Sequence, residues 1–134
     1  MTSVLNYEIV SPDKLLKDAQ AAHIVVPGVD GDFGVLANHA PMMSTMRPGV
    51  LSIYESDSSE AEQLFVKGGL VQVSDAGMTI LAEEVIDLNS VDTAALEQQM
   101  SDTQEDLEDS SDEQEKARLQ KELDWMTVLQ DLVA

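Results

Sequence analysis

Apolar residues recur along this chain at two periods, and the change of period divides it in two. Up to about residue 89 they alternate. In VLNYEIV (Val4 to Val10), Leu5, Tyr7 and Ile9 fall on one face at period two, the spacing of a half-buried strand. The β-rich run AAHIVVPG follows and ends at Pro27-Gly28, a turn signal. In GVLSIYE, Leu51 and Ile53 alternate against Val50, Ser52 and Tyr54. EQLFVKGGLVQVSDAGMTILAEEVI predicts three strands, broken at Gly68-Gly69 and at Ser74-Asp75-Ala76-Gly77. Strands this close, with turn residues between them, point to a small β-sandwich or flattened barrel. No helix-length pattern separates them, which argues against a parallel βαβ sheet.

From Ser90 onward the period is helical. Leu96, Met100, Thr103 and Leu107 form one stripe, with acidic and amide residues between them. Ser90 is a suitable N-cap, and Asp92 suits the positive end of the helix dipole. EDSSDEQ interrupts the pattern. Ser110 and Ser111 each have Glu113 or Gln114 three residues on, a capping-box signal for a second helix. Leu119, Leu123, Met126, Leu129 or Gln130, and Val133 make the second stripe, widened by Trp125, Val128 and Leu132. Two helices joined by a short polar turn form an antiparallel hairpin. The expected organisation is therefore mainly β with α: a sandwich over residues 1–89 and a helical hairpin over 90–134.

Composition narrows the partners. The protein has 134 residues and a formal net charge of −19. The hairpin segment carries 13 acidic and 3 basic residues, a net of −10, and the β segment carries 13 and 4, a net of −9. Nucleic acid needs clustered Lys and Arg, and an anionic bilayer repels such a surface, whereas a basic protein surface attracts it. There is no Cys, so disulfides and thiolate metal sites are excluded. No apolar run is long enough to span a bilayer, so direct membrane insertion is not expected. MTSVLNYEIV has no basic n-region or long apolar stretch and does not read as a signal peptide.

The candidate chemistry fails on context. Asp32-Phe33-Gly34 matches the magnesium-binding tripeptide of protein kinases, but no Gly-rich phosphate loop or His-Arg-Asp loop accompanies it. Asp30 and Asp32 have the alternate spacing of a calcium loop. Counting from Asp30, however, the sixth position is Val35 and the twelfth is Pro41, where Gly and an acid are needed. His23 reads as a half-exposed strand residue, and His39 as a loop residue bonded to backbone. Glu83 and Glu84 are adjacent, so on a strand they point to opposite faces and make no glycosidase pair. Met42, Met43 and Met46 read as irregular core filling or an adaptable contact surface. The residues yield a non-enzymatic acidic protein with no cofactor and no metal, acting through protein contacts.

The segment VPGVDGDFGVLANHAPMMSTMRPGVL, read as one loop, resembles the signature loop of the epsilon subunit of rotary F-type ATP synthases. The matching residues are Gly28, Gly31, Asp32, Gly34, Val35, His39, Ala40 and Pro41, then Arg47-Pro48-Gly49. VKGGLVQVSDAGMTILAEEVI (Val66 to Ile86) resembles the same family's later strands. The resemblance covers almost the whole sequence. It implies a ten-stranded flattened β-sandwich followed by a helical hairpin. It also implies a central-stalk role: binding the gamma subunit, resting on the c-ring, and coupling proton flow to ATP synthesis without catalysis. The implied place is the cytoplasmic face of a bacterial inner membrane, as a peripheral subunit.

The ring-facing segment maps onto Pro27 to Gly34, with Gly28, Asp30, Gly31, Asp32, Phe33 and Gly34 as contact residues and Asp30 and Asp32 facing the partner. Gly28, Gly31 and Gly34 would supply backbone turns closed to other residues. Ser11, His39, Met42 and Met43 map to the gamma-facing side.

The sequence also departs from the family. Relatives that bind ATP on the hairpin carry an Asp-x-x-Arg-Ala motif. Here Asp92 is kept, but Ala95 stands at the Arg position and Leu96 at the Ala position. Only Lys116, Arg118 and Lys121 offer cations on helix two, which argues against tight nucleotide binding. In some relatives a basic second helix meets an acidic segment of the catalytic beta subunit and inhibits hydrolysis. A hairpin at −10 would be repelled there. Composition alone also leaves open a free-standing acidic protein-binding or chaperone module.

Overall fold

A computed structural model describes residues 4–37, 39–56 and 60–133. Ten strands come first: β1 Leu5–Val10, β2 Leu15–Ala21, β3 His23–Gly28, β4 Gly31–Leu36, β5 Met42–Met46, β6 Gly49–Tyr54, β7 Glu62–Val66, β8 Gly69–Ser74, β9 Gly77–Ala82 and β10 Val85–Asp87. A single 3₁₀ turn, Leu88–Ser90, leads to helices α1 (Thr93–Asp109) and α2 (Glu113–Val133). The protein falls into two compact units, Met1–Asp87 and Leu88–Ala134.

The strands hydrogen-bond in the order β10-β7-β6-β3-β5-β8-β9-β1-β2, with β4 paired to β3. All pairs are antiparallel except β1 with β9. The sheet curls until its ends meet. The Ala22 amide, just after β2, donates to the Tyr54 carbonyl at the end of β6, 2.7 Å away. Lys17 on β2 pairs with Glu62 on β7. Curling turns one face of nearly every strand inward. Leu5, Tyr7 and Ile9 are buried as the alternation required, and so are Leu51 and Ile53. With few aromatics available, the core is aliphatic: Ile24, Val26, Val35, Val71 and Ile80 are fully enclosed.

Five local expectations need correction. The turn after β3 is not at Pro27-Gly28, because the strand runs through both residues and turns at Val29-Asp30. The segment between Gly31 and Met46 is not one loop but holds β4 and β5. The last three expected strands are four, because the backbone breaks again at Glu83-Glu84, which lie between β9 and β10 rather than on a strand. Ser90 belongs to the 3₁₀ turn, and Asp92 caps α1, its carboxylate accepting from the Ala95 amide at 3.1 Å. Asp112, rather than Ser110 or Ser111, serves α2, accepting from the Gln114 amide at 3.1 Å. Asp and Ser compete for the same capping role, and proximity to the first helical turn decides which is used.

Both helical stripes hold. Leu96 is buried, with Met100, Thr103 and Leu107 half-buried below it on α1. Leu119, Leu123, Met126 and Leu129 are buried on α2, which packs against α1. Trp125 is buried too, with its indole N–H donating to Glu122. Leu132 stays exposed.

The seam between β2 and β7 carries an alkaline sensitivity. Burial holds the Tyr7 hydroxyl above the ordinary tyrosine value, an effect the neighbouring Lys17 only partly offsets. Burial pulls the Lys17 ammonium down, but its hydrogen bonds to Glu62 and Tyr7 prevail and hold it above the ordinary lysine value. Both groups keep their protons more firmly folded than unfolded. Their stabilisation is therefore complete below about pH 10 and is lost as pH rises through the folded values. The urea midpoint should fall as pH rises above about 10, and the double variant Tyr7→Phe with Lys17→Met, which removes both groups, should flatten that decline. An equally steep decline in the double variant would contradict the assignment.

Candidate docking surface

The signature segment folds as a β-hairpin. β3 and β4 pair from His23↔Leu36 to Gly28↔Gly31, leaving Val29 and Asp30 as a two-residue turn. Gly28 allows this closure: a Cβ there would lie 2.7 Å from the Gly31 carbonyl oxygen and 2.9 Å from the Phe33 ring. Gly31 has a φ of +131°, which a side chain would strain. Gly34 differs from both. It is ordinary strand with open space at its Cβ position, so the expectation that it needs to be glycine is not met.

The turn is tied to the end of β5 and to the connection from β5 to β6. The Val29 amide donates to the Thr45 carbonyl at 3.1 Å, and the Arg47 amide to the Pro27 carbonyl at 2.9 Å. The Arg47 guanidinium adds two bonds, from Nη1 to the Gly28 carbonyl oxygen at 2.5 Å and from Nη2 to Asp32 Oδ1 at 2.6 Å. Pro27 packs against Gly49, where a Cβ would come within 2.9 Å of the Pro27 ring. The Arg47-Pro48-Gly49 part of the signature thus supports the Gly28–Asp32 part. The Asp32 side chain is 60% exposed, and one of its carboxylate oxygens is taken by Arg47 of the same protein. Among the described residues Asp30 has no ion-pair partner, and it is exposed beside Val29, which is 54% exposed. Phe33 is half-buried and packs against the core.

The four residues mapped to a second face do not cluster. Ser11 closes the β1–β2 turn, its amide donating to the Lys14 carbonyl at 2.9 Å. His39 Nδ1 lies 2.7 Å from the Ala40 carbonyl oxygen, and its ring lines a shallow cleft with Val4, Asn6, Ser74 and Asp75. Ser11 and His39 therefore flank opposite ends of β1, roughly 20 Å apart for a six-residue strand. Met42 packs against the core, while Met43 points outward and is 62% exposed.

Sequence reasoning missed an apolar row on the outer face of the sheet. Cross-strand register aligns Leu70 with Leu81, Leu81 with Val10, and Val10 with Leu15. Leu81 and Leu15 are more than 40% exposed. For Val10, Leu70 and Leu81 the signal was available, as leucine and valine at the outward parity of strands whose inward positions are apolar, whereas Leu15 joins the row only through the register shift opposite Ile9 and Val10.

The remaining candidates are structural. His23 stacks on Tyr54, with ring centroids 4.2 Å apart and planes 11° from parallel. Glu84 pairs with Lys67. Among the described residues no group of three His, Asp or Glu converges as a metal site, and no helix is long and apolar enough to cross a membrane. Asp92, shared with the nucleotide motif of relatives, is engaged as a helix cap.

Two family models match in succession. Residues 4–87 match the β-sandwich domain of the ATP synthase delta/epsilon chain, and residues 92–134 match the C-terminal domain of the ATP synthase epsilon chain. The ATP synthase epsilon chain of Rhodospirillum centenum is 44% identical over 138 residues, covering all of this protein and 94% of the relative. That of Parvibaculum lavamentivorans is 35% identical over 133 residues, covering 99% and 100%. A subunit of the Euglena gracilis mitochondrial ATP synthase, solved with OSCP, F1 and c-ring, shares the fold with a TM-score of 0.80 at 22% identity. The match covers 98% of this protein and 82% of that subunit. A subunit from the central stalk and c-ring of the Tetrahymena thermophila mitochondrial enzyme gives 0.63 at 13% identity, covering 96% of each. Sandwich, hairpin and full-length identity agree, and the chain belongs to the ATP synthase epsilon chain family.

Proposed function

We propose that this epsilon chain is a non-catalytic rotor subunit of the central stalk, linking the gamma subunit to the c-ring and coupling proton translocation to ATP synthesis. The observation that carries this reading is full-length similarity to bacterial epsilon chains, together with a tethered β-hairpin that presents Val29 and Asp30 at its turn. A short rigid turn suits a rotor contact, because torque transmitted through a loose loop is lost in bending. The proposed place is peripheral, on the cytoplasmic face of the bacterial inner membrane. Purification of the native complex tests it. Gamma and ring subunits should accompany this protein in fixed proportion, whereas recovery alone or with unrelated basic proteins would favour the free-standing module.

The helical hairpin does not act as an inhibitor in this reading. Its exposed faces are acidic, and inhibition through an acidic segment of the beta subunit would set like charges against each other. Truncation after Asp87 should leave ATP hydrolysis of the assembled enzyme within about twofold, because no favourable charge contact is lost. Strong activation by the same truncation would refute this.

A further inference from the structure

We infer that Arg47 is a positioning residue for the β3–β4 turn: its guanidinium takes up the Asp32 carboxylate and the Gly28 carbonyl together. Asp32 thus acts through Arg47, and the group presented to the partner is the Val29–Asp30 tip. The inference rests on reading that turn as ring-facing.

The geometry divides the four links into two kinds. Two are backbone bonds, Val29 to Thr45 and Arg47 to Pro27, and they persist whatever side chain stands at position 47. Two come from the guanidinium, at 2.5 Å to Gly28 and 2.6 Å to Asp32. Losing the side chain therefore leaves the hairpin paired and Val29 tied to Thr45, but removes the two links, at Gly28 and Asp32, that brace the turn on either side of its tip. An arginine suits the place because its planar fork reaches two acceptors at once, whereas a lysine presents a single point charge. The Asp32 carboxylate, although 60% exposed, is already paired with Arg47 and attracts a basic partner less than an unpaired acid would. Asp30, two residues away, is exposed at the turn and has no ion-pair partner among the described residues.

The test uses the assembled ATP synthase in inverted membrane vesicles and reads protons pumped per ATP hydrolysed, alongside the thermal midpoint of the full-length protein. Arg47→Met should lower the pumping ratio about fivefold, and Arg47→Lys should recover part of it. Asp32→Asn, whose amide oxygen still accepts from Arg47, should lose less than about twofold. Asp32→Ala combined with Arg47→Met should fall no further than Arg47→Met alone. Thermal midpoints should shift by only a few degrees throughout.

A harmless Arg47→Met, or an Asp32→Asn as damaging as Asp32→Ala, overturns the inference. So does a loss in Arg47→Met that merely tracks the thermal midpoint and is not rescued by lysine. If in those cases Asp30→Lys still lowers the ratio, the ring-facing reading stands without Arg47. If Asp30→Lys is also harmless in a fully assembled complex, the ring-facing reading itself has failed.

Discussion

Gly69→Ala should destabilise the sandwich severely, although it adds one methyl group. Gly69 opens β8 with a φ of +143°, and an added Cβ would lie 2.0 Å from the Leu81 carbonyl oxygen on β9. Backbone, not a flexible side chain, occupies that space. The β8–β9 ladder cannot retreat, because Gly69 pairs with Ala82 and β9 is held on its other side by β1. Backbone strain of about 1–3 kcal/mol adds to the clash, so the loss should exceed about 4 kcal/mol. Against a whole-domain stability of about 5–15 kcal/mol, that removes from about a quarter to most of it. Gly34→Ala is the matched control. Its Cβ meets nothing within 4 Å, so the same chemical change should alter stability by less than about 1 kcal/mol. Circular dichroism melts of the two variants check this. Equal melts would contradict the clash between position 69 and the β9 backbone.

Asp30→Lys should have the largest functional effect without unfolding. The residue is exposed at a two-residue turn and bonds to no strand, so stability should change by less than about 0.5 kcal/mol. Under the proposed docking, the substitution removes an attraction to basic ring loops and replaces it with repulsion. An exposed pair contributes about 0–1 kcal/mol, and reversal roughly doubles the change, so docking should weaken about tenfold. The effect should shrink at high salt as the charges are screened. Pumping ratios at low and high ionic strength measure both. An effect independent of salt would show that the tip acts through shape rather than charge.

The parts of this fold that were legible in the sequence are those where one face is buried and the other wet. β1 and β6 announced themselves because Leu5, Tyr7, Ile9, Leu51 and Ile53 all point into the core. β2 did not, because it ends the strand order and a register shift breaks its alternation between Leu15 and Lys17. Its inward position Lys17 is charged, and its outward Leu15 is apolar. β4 was hidden by glycines and Asp32, residues of low strand propensity, and it exists because β3 offers it a partner over its whole length. The helical stripes were readable to the residue, while the caps slipped by one or two positions.

The candidate site divides the same way. The turn glycines and the acidic tip are local features. The Arg47 bridge joins residues 15 apart in sequence, and nothing in their spacing pairs them. The separation of Ser11 from His39 likewise follows from where β1 lies, which no motif encodes.

The central claim is that the Val29–Asp30 tip faces the ring, and the absence of cysteine makes it directly testable. Val29→Cys places a single thiol of this protein at the turn. In the purified assembled complex, a short thiol-to-amine cross-linker at that thiol should join this protein to a ring subunit, identified by mass spectrometry. Cross-links confined to subunits of the catalytic head, with the ring present and unmodified, would contradict the account.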